Sequence, residues 1–135
     1  MFAEHETFVF PEDRSKFLED ASNFDLVIPM IHGKGAEDGV VQQLCESLNI
    51  PFLFSPIEAH KIGIDKVLTK EFVVRAGIKT AKQFSRSSAV FPLFVKPRFG
   101  GSSVHTARIE DADALETFLE NTSEEMMIEE AVHGR

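Results

Sequence analysis

The order of segments between residues 24 and 55 constrains the fold of this chain most. FDLVIPMI, residues 24–31, is a nearly continuous apolar run of the kind that forms parallel strands buried on both faces. It passes into HGKGAEDG, and the following VVQQLCESLNI sets Val40, Val41, Leu44, Cys45 and Leu48 at helical spacing before Asn49 and Pro51 end the helix. A second short strand, IPFLFS, comes next. Strand, glycine-bearing loop, helix and strand make a βαβ unit, so the first half is expected to be an open, mostly parallel α/β sheet. Ligands of such sheets lie at the carboxyl ends of the strands, which is where His32 falls.

At 135 residues the chain has room for one modest domain or two half-sized lobes. Its 43% hydrophobic content is that of an ordinary globular protein, and no apolar run reaches the length that spans a bilayer, so no membrane role is expected. The opening MFAEHETFVF carries acids where a secretory signal would be basic and then apolar, and Cys45 has no cysteine to pair with. A cytoplasmic, reducing compartment is the expectation. The formal charge of -8 argues against a general nucleic-acid binder but not against a nucleotide, because a few local lysines outweigh distant, screened acids.

Residues 1–23 are polar and mixed, with one short helix around Phe17 and Leu18. SPIEAHKIGIDKVLTKEFVVRAGI divides into two helical pieces. Asp65 starts the second, Val67, Leu68, Phe72 and Val73 form its apolar stripe, and Gly77 ends it. The remainder predicts strand, loop, strand, helix, strand: FPLFVKP, a glycine loop, VHTARI, a helix over DADALETFLEN with Leu115, Phe118 and Leu119 inward, and EEMMIEEAV.

FPLFVKPRFGGSSV, residues 91–104, carries the clearest chemical signal. Lys96 ends an apolar strand, where its charge is expensive unless it meets an anion. Gly100 and Gly101 let backbone N–H groups approach such an anion closely, and Ser102 and Ser103 add hydroxyl donors. This is not a Walker A loop, since no GK[ST] opens a helix. The competing structural reading is a glycine-rich hairpin with an edge lysine. In HGKGAEDG, Glu37 and Asp38 sit at the start of a helix, where its dipole favours negative charge, and His32 could donate to a carboxylate or phosphate. The plainer alternatives are a capped helix with an exposed histidine, a helix cap at Asp65 followed by a solvated Lys66, and an ordinary core strand ending in Glu129 and Glu130.

In order along the chain, HGKGAEDG, IPF, GIDK, AGI, FVKPRFGGSSV and MIEEAVHG resemble the D-alanine–D-alanine ligase family of ATP-grasp enzymes, from about residue 24 onward. The resemblance implies a partial N-terminal α/β domain over residues 1–64 and the first half of an ATP-grasp α+β lobe over residues 65–135. It implies that His32 orients the first D-alanine and that Lys66 and Lys96 contact the ATP phosphates. Gly101, Ser102 and Ser103 would lie in the loop closing over those phosphates, with Ser102 also facing the first substrate. Glu129 would meet the adenine amino group, and the backbone of Glu130 to Val132 would form the hinge beside the base. The implied reaction uses ATP and Mg to form an acyl phosphate from one D-alanine, which the amine of a second attacks, for peptidoglycan precursors of the cell wall. A homodimer is implied for the complete enzyme.

The chain departs from the family pattern in four places. Alanine replaces a usual glycine at Ala36, which costs about 1 kcal/mol if that position needs a positive φ, and His105 replaces another after GSSV. No residue of MFAEHETFVF matches the family's N-terminal substrate-contacting glutamate. The chain ends at HGR, before the family's ribose-binding glutamate, its Mg ligands and its second D-alanine site, so a fragment inactive by itself is expected. Two alternatives stand beside this reading: a truncated, non-catalytic nucleotide-binding or interaction domain, and a ligase with another acceptor such as D-lactate or D-serine.

Overall fold

The computed structural model describes residues 4–33 and 35–133. Lys34 of HGKGAEDG and Gly134 of MIEEAVHG lie outside the described residues. The chain divides into two compact units, Met1–Lys61 and Ile62–Arg135.

In the first unit, helix α1 spans Arg14–Asp20, a 3-10 turn follows at Ala21–Asn23, and helix α2 spans Val40–Ser47. Helix α3, Ile57–Ile64, leads out of the unit. The helical spacing of α2 is realised with Val41 and Cys45 buried and Val40 half exposed. The expected parallel strands meet at one parallel bridge, Val27 with Phe52, held by Val27 N–H to Pro51 O at 2.9 Å and Leu53 N–H to Val27 O at 3.0 Å. Among the described residues the pairing extends no further, so the runs around Val27 and Phe52 are extended chain rather than full strands. Much of the unit's cohesion comes from the stretch whose sequence carries the weakest pattern. Phe8, Phe10 and Phe24 pack around buried Phe17, with ring centroids 5.4 to 6.0 Å apart, edge-on except for the stacked Phe17 and Phe24. Leu18 of the expected apolar pair points to solvent.

The second unit contains helix α4 (Lys66–Arg75), strand β1 (Gln83–Phe84), strand β2 (Leu93–Pro97), strand β3 (Ala107–Ile109), helix α5 (Ala112–Glu120) and strand β4 (Met126–Glu130). The four strands form one antiparallel sheet in the order β1-β4-β2-β3. Because side chains alternate along a strand, β2 sends Leu93, Val95 and Pro97 to one face and Phe94 and Lys96 to the other. The first face, with Ile109 and Ile128, packs against Leu115, Phe118 and Leu119 of α5. Directly paired residues share a face, so the register of Phe94 with both Arg108 and Glu129, and of Lys96 with Met127, builds a second, polar face. Lys96 therefore lies on an interior strand, not at a sheet edge.

Asp65 caps α4 as expected, accepting from the N–H groups of Val67 at 2.9 Å and Leu68 at 3.2 Å, and Gly77 follows the helix at φ +78°. The expected apolar stripe of α4 is not buried: Phe72 is 64% exposed and Leu68 39%. What ties this helix to the rest of its unit is the polar side carrying Asp65, Lys66 and Lys70.

Candidate functional site

The loop between β2 and β3, residues 98–106, is anchored at its first residue. Arg98 forks onto Asp65, with Nε to Oδ1 at 2.8 Å and Nη2 to Oδ2 at 2.6 Å, while its Nη1 reaches Glu125 Oε1 at 2.6 Å. The fork holds the Asp65 carboxyl below the usual aspartate range, and two backbone N–H groups of α4 reinforce the effect. Backbone bonds complete the clamp: Lys66 N–H donates to Arg98 O at 3.0 Å and Arg98 N–H to Glu125 O at 2.8 Å. The start of α4 is thereby fixed against the end of β2, which brings Lys66 to the glycine loop. Its Nζ donates to Gly100 O at 2.6 Å.

Lys66, Lys96, Gly101, Ser102 and Ser103 line one cavity of about 340 Å³, with Phe94, Phe99 and Thr106 in its wall. Burial pushes the Lys66 ammonium below the ordinary lysine range, and the nearby Lys96 charge adds to this. Two adjacent ammonium groups of like charge are stabilised by an anion between them. Among the described residues, the backbone N–H groups of Gly100, Gly101, Ser102 and Ser103 have no protein acceptor, so they too are available as donors. Gly100 has φ +83°, but Ser102 (+58°), Ser103 (+54°) and His105 (+52°) also adopt the left-handed region, which side-chain-bearing residues enter at a cost. The expected strain at Ala36 is absent, since that residue is buried without a positive φ; it falls on His105, whose ring Nδ1 pairs with Glu124 Oε2 at 2.6 Å.

A second cavity of about 370 Å³ shares Phe94 as a wall and is lined by Ala81, Arg108, Glu129, Glu130, Ala131 and Val132. Glu129 is buried, and its carboxylate takes Lys70 Nζ on Oε2 at 2.5 Å and Lys96 Nζ on Oε1. Burial pushes this carboxyl up, but the hydrogen bonds from Lys70 and Lys96 outweigh it and hold the group below the ordinary glutamate range. The N–H groups of Glu130 and Ala131 are committed to Lys82 O and Pro92 O, at 2.9 and 3.1 Å. The structure thus brings together the eight expected residues Lys66, Lys96, Gly101, Ser102, Ser103, Glu129, Glu130 and Val132 around two cavities that share Phe94 as a wall. Lys70, Arg98 and Phe94 are additional participants. The signal for Lys70 was its place one helical turn after Lys66, which puts both on one side of α4.

His32 belongs to the first unit. Its Nδ1 lies 3.1 Å from Glu37 Oε1, and with Arg14, Phe10, Ile31 and Ala36 it lines a cavity of about 400 Å³. The acids of this loop close it on itself: Glu37 Oε2 accepts from Gly33 N–H at 3.0 Å, and Asp38 accepts from Gly35 N–H at 2.8 Å and Val40 N–H at 3.2 Å. Among the described residues, no three His, Cys, Asp or Glu side chains are grouped to hold a metal, and no helix is long and apolar enough to cross a membrane.

No family model matches the chain. Individual relatives do. A D-alanine–D-alanine ligase of Leuconostoc citreum is 36% identical over 141 residues, covering 92% of this chain and 37% of that protein. Among solved structures, a Bacillus anthracis D-alanine–D-alanine ligase complexed with ATP matches with a TM-score of 0.76 and 30% identity, covering 92% of this chain and 46% of that one. The VanG D-Ala:D-Ser ligase of Enterococcus faecalis matches at 0.72 and 29%, covering 82% of this chain and 37% of that one. The chain spans less than half the length of the curated relatives it matches. Over the portion it spans, it belongs to the D-alanine–D-alanine ligase family.

Proposed function

We propose that this chain is the nucleotide-gripping portion of an ATP-dependent ligase that joins D-alanine to D-alanine. The observation that carries the proposal is the meeting of Lys66, Lys96 and the donor-bearing loop Gly100–Ser103 around one cavity, next to a second cavity walled by Phe94, Glu129 and Val132. The first cavity fits a polyphosphate: two ammonium groups, unpaired backbone N–H groups and two hydroxyls converge on it, and Gly100 lets the backbone come close. The second fits a flat base, with an aromatic ring on one side and a carboxylate and backbone groups at the edge.

ATP supplies the phosphoryl group that activates one D-alanine carboxylate for attack by the amine of another. Toward that chemistry the residues of this chain bind and orient. Lys66 and Lys96 neutralise phosphate charge, the glycine loop donates N–H groups, and the Asp65–Arg98 clamp holds Lys66 and the loop in register. His32, with Arg14 beside it, is suited to a small carboxylate in the first unit. The Mg that phosphoryl transfer uses in this family does not fit the described residues, among which no three His, Cys, Asp or Glu side chains are grouped to hold it. D-Serine as acceptor is the second reading, favoured by the similarity to the VanG ligase.

The test is ATP binding to the purified chain by calorimetry. Lys96→Ala and Lys66→Ala are each expected to weaken it by roughly tenfold or more, as loss of one charge-assisted contact does. Unchanged affinity in both variants would refute the assignment.

A further inference from the structure

Lys70 belongs to neither cavity lining, yet it is the most buried lysine of the cluster, with its side chain 13% exposed against 24% for Lys96. From α4 its ammonium reaches two walls of the second cavity at once, donating to Ala81 O at 2.6 Å and to Glu129 Oε2 at 2.5 Å. The other oxygen of the same carboxylate holds Lys96, which projects into the first cavity. One buried lysine is therefore coupled through a single carboxylate to the lysine that faces the first cavity.

A buried lysine is expensive, and an apolar side chain would pack α4 on the sheet at lower cost. The charge arithmetic gives a reason for keeping it. Glu129 alone would neutralise Lys96, leaving Lys66 as the remaining ammonium for a polyanion in that cavity. With Lys70 present the three-group cluster keeps one net positive charge, and Lys96 stays anchored while its charge remains available. The carboxylate has about four lone-pair sites, so holding two lysines leaves room for a further donor from a ligand in the second cavity.

We infer that Lys70 is a positioning residue of the nucleotide site, which offsets Glu129 so that Lys96 can serve the phosphates; the inference rests on the nucleotide reading above. The test is calorimetry of ATP and of adenosine with the 135-residue chain and its variants, each checked for a cooperative melt. Lys70→Gln keeps a donor for Ala81 O without the charge, and Lys70→Met removes both. Each is expected to weaken ATP binding roughly tenfold while adenosine changes by less than about twofold. Adding Glu129→Gln to either variant should recover most of the lost ATP affinity, because Lys96 is then no longer neutralised, and Lys70→Arg should stay near the unsubstituted value. A merely structural strut predicts otherwise: equal losses for ATP and adenosine, or no recovery with Glu129→Gln, would overturn the inference. If the unsubstituted chain binds no ATP, the nucleotide reading itself falls and takes this role with it. If that chain binds ATP and the Lys70 variants bind it equally well, only the role of Lys70 falls.

Discussion

The two glycine-bearing loops use the same residue for opposite ends. In the first unit, the positive φ angles among the described residues of the loop fall on Gly33, Gly35 and Gly39, and Glu37 and Asp38 accept from the N–H groups of Gly33, Gly35 and Val40. In the second unit, glycine absorbs only part of the turn. Ser102, Ser103 and His105 share the left-handed geometry, and the N–H groups of Gly100 to Ser103 are left without protein acceptors among the described residues. Among its described residues the first loop is relaxed and closes on its own acids. The second stores strain and keeps its donors open, which is what an anion-binding loop requires. A glycine count does not separate the two; the location of the acids does.

The largest expected effect falls on the clamp that positions the open loop. Asp65→Ala removes a helix cap and both acceptors of the Arg98 fork, and should lower stability by about 2 kcal/mol in urea unfolding. The same carboxylate sets a pH dependence. The folded-state values of Asp65 and Glu129 lie below their unfolded ones, so both stabilise the fold above the unfolded range and lose that contribution as pH falls through the folded values. Stability should therefore drop steeply below about pH 4, and less steeply in Asp65→Asn. A profile identical in Asp65→Asn would break the account of the clamp.

Next in size is Gly39→Ala. Its φ of +89° and a Cβ that would meet Ile57 Cγ2 at 3.2 Å predict a loss of about 1.5 kcal/mol. His105→Gly should do the reverse, relieving the left-handed residue and raising stability by about 0.5 kcal/mol, partly offset by the lost contact with Glu124. If both substitutions destabilise alike, the contrast between a relaxed and a strained loop fails.

How far the sequence carried this picture depends on the range of each signal. The strand, loop, strand, helix, strand order from β2 to β4 was legible, though the two-residue β1 was not, because β2 and α5 have local periods: Leu93 and Val95 alternate inward, and Leu115 with Phe118 and Leu119 recur at helical spacing. The cap at Asp65 and the stop at Gly77 were legible for the same reason. The cavity beside Lys96 was legible in outline because Lys96 and the glycine loop are adjacent in the chain. The ion cluster was not, since Lys70 and Glu129 are 59 residues apart and only the fold joins them. The aromatic core of the first unit was also hidden, because Phe8, Phe10, Phe17 and Phe24 sit in a segment with no single period. On α4 the period misled. An apolar stripe at helical spacing suggested burial, whereas the helix is held to its unit by its charged side.

The most direct test of the contrast between the loops is an amide NMR titration of the chain with ATP. The account predicts large, saturable shifts at the N–H groups of Gly100, Gly101, Ser102 and Ser103, with those of Gly33 and Gly35 unmoved because Glu37 and Asp38 already hold them. Saturable shifts confined to Gly33 and Gly35, or none at Gly100 to Ser103, would contradict it.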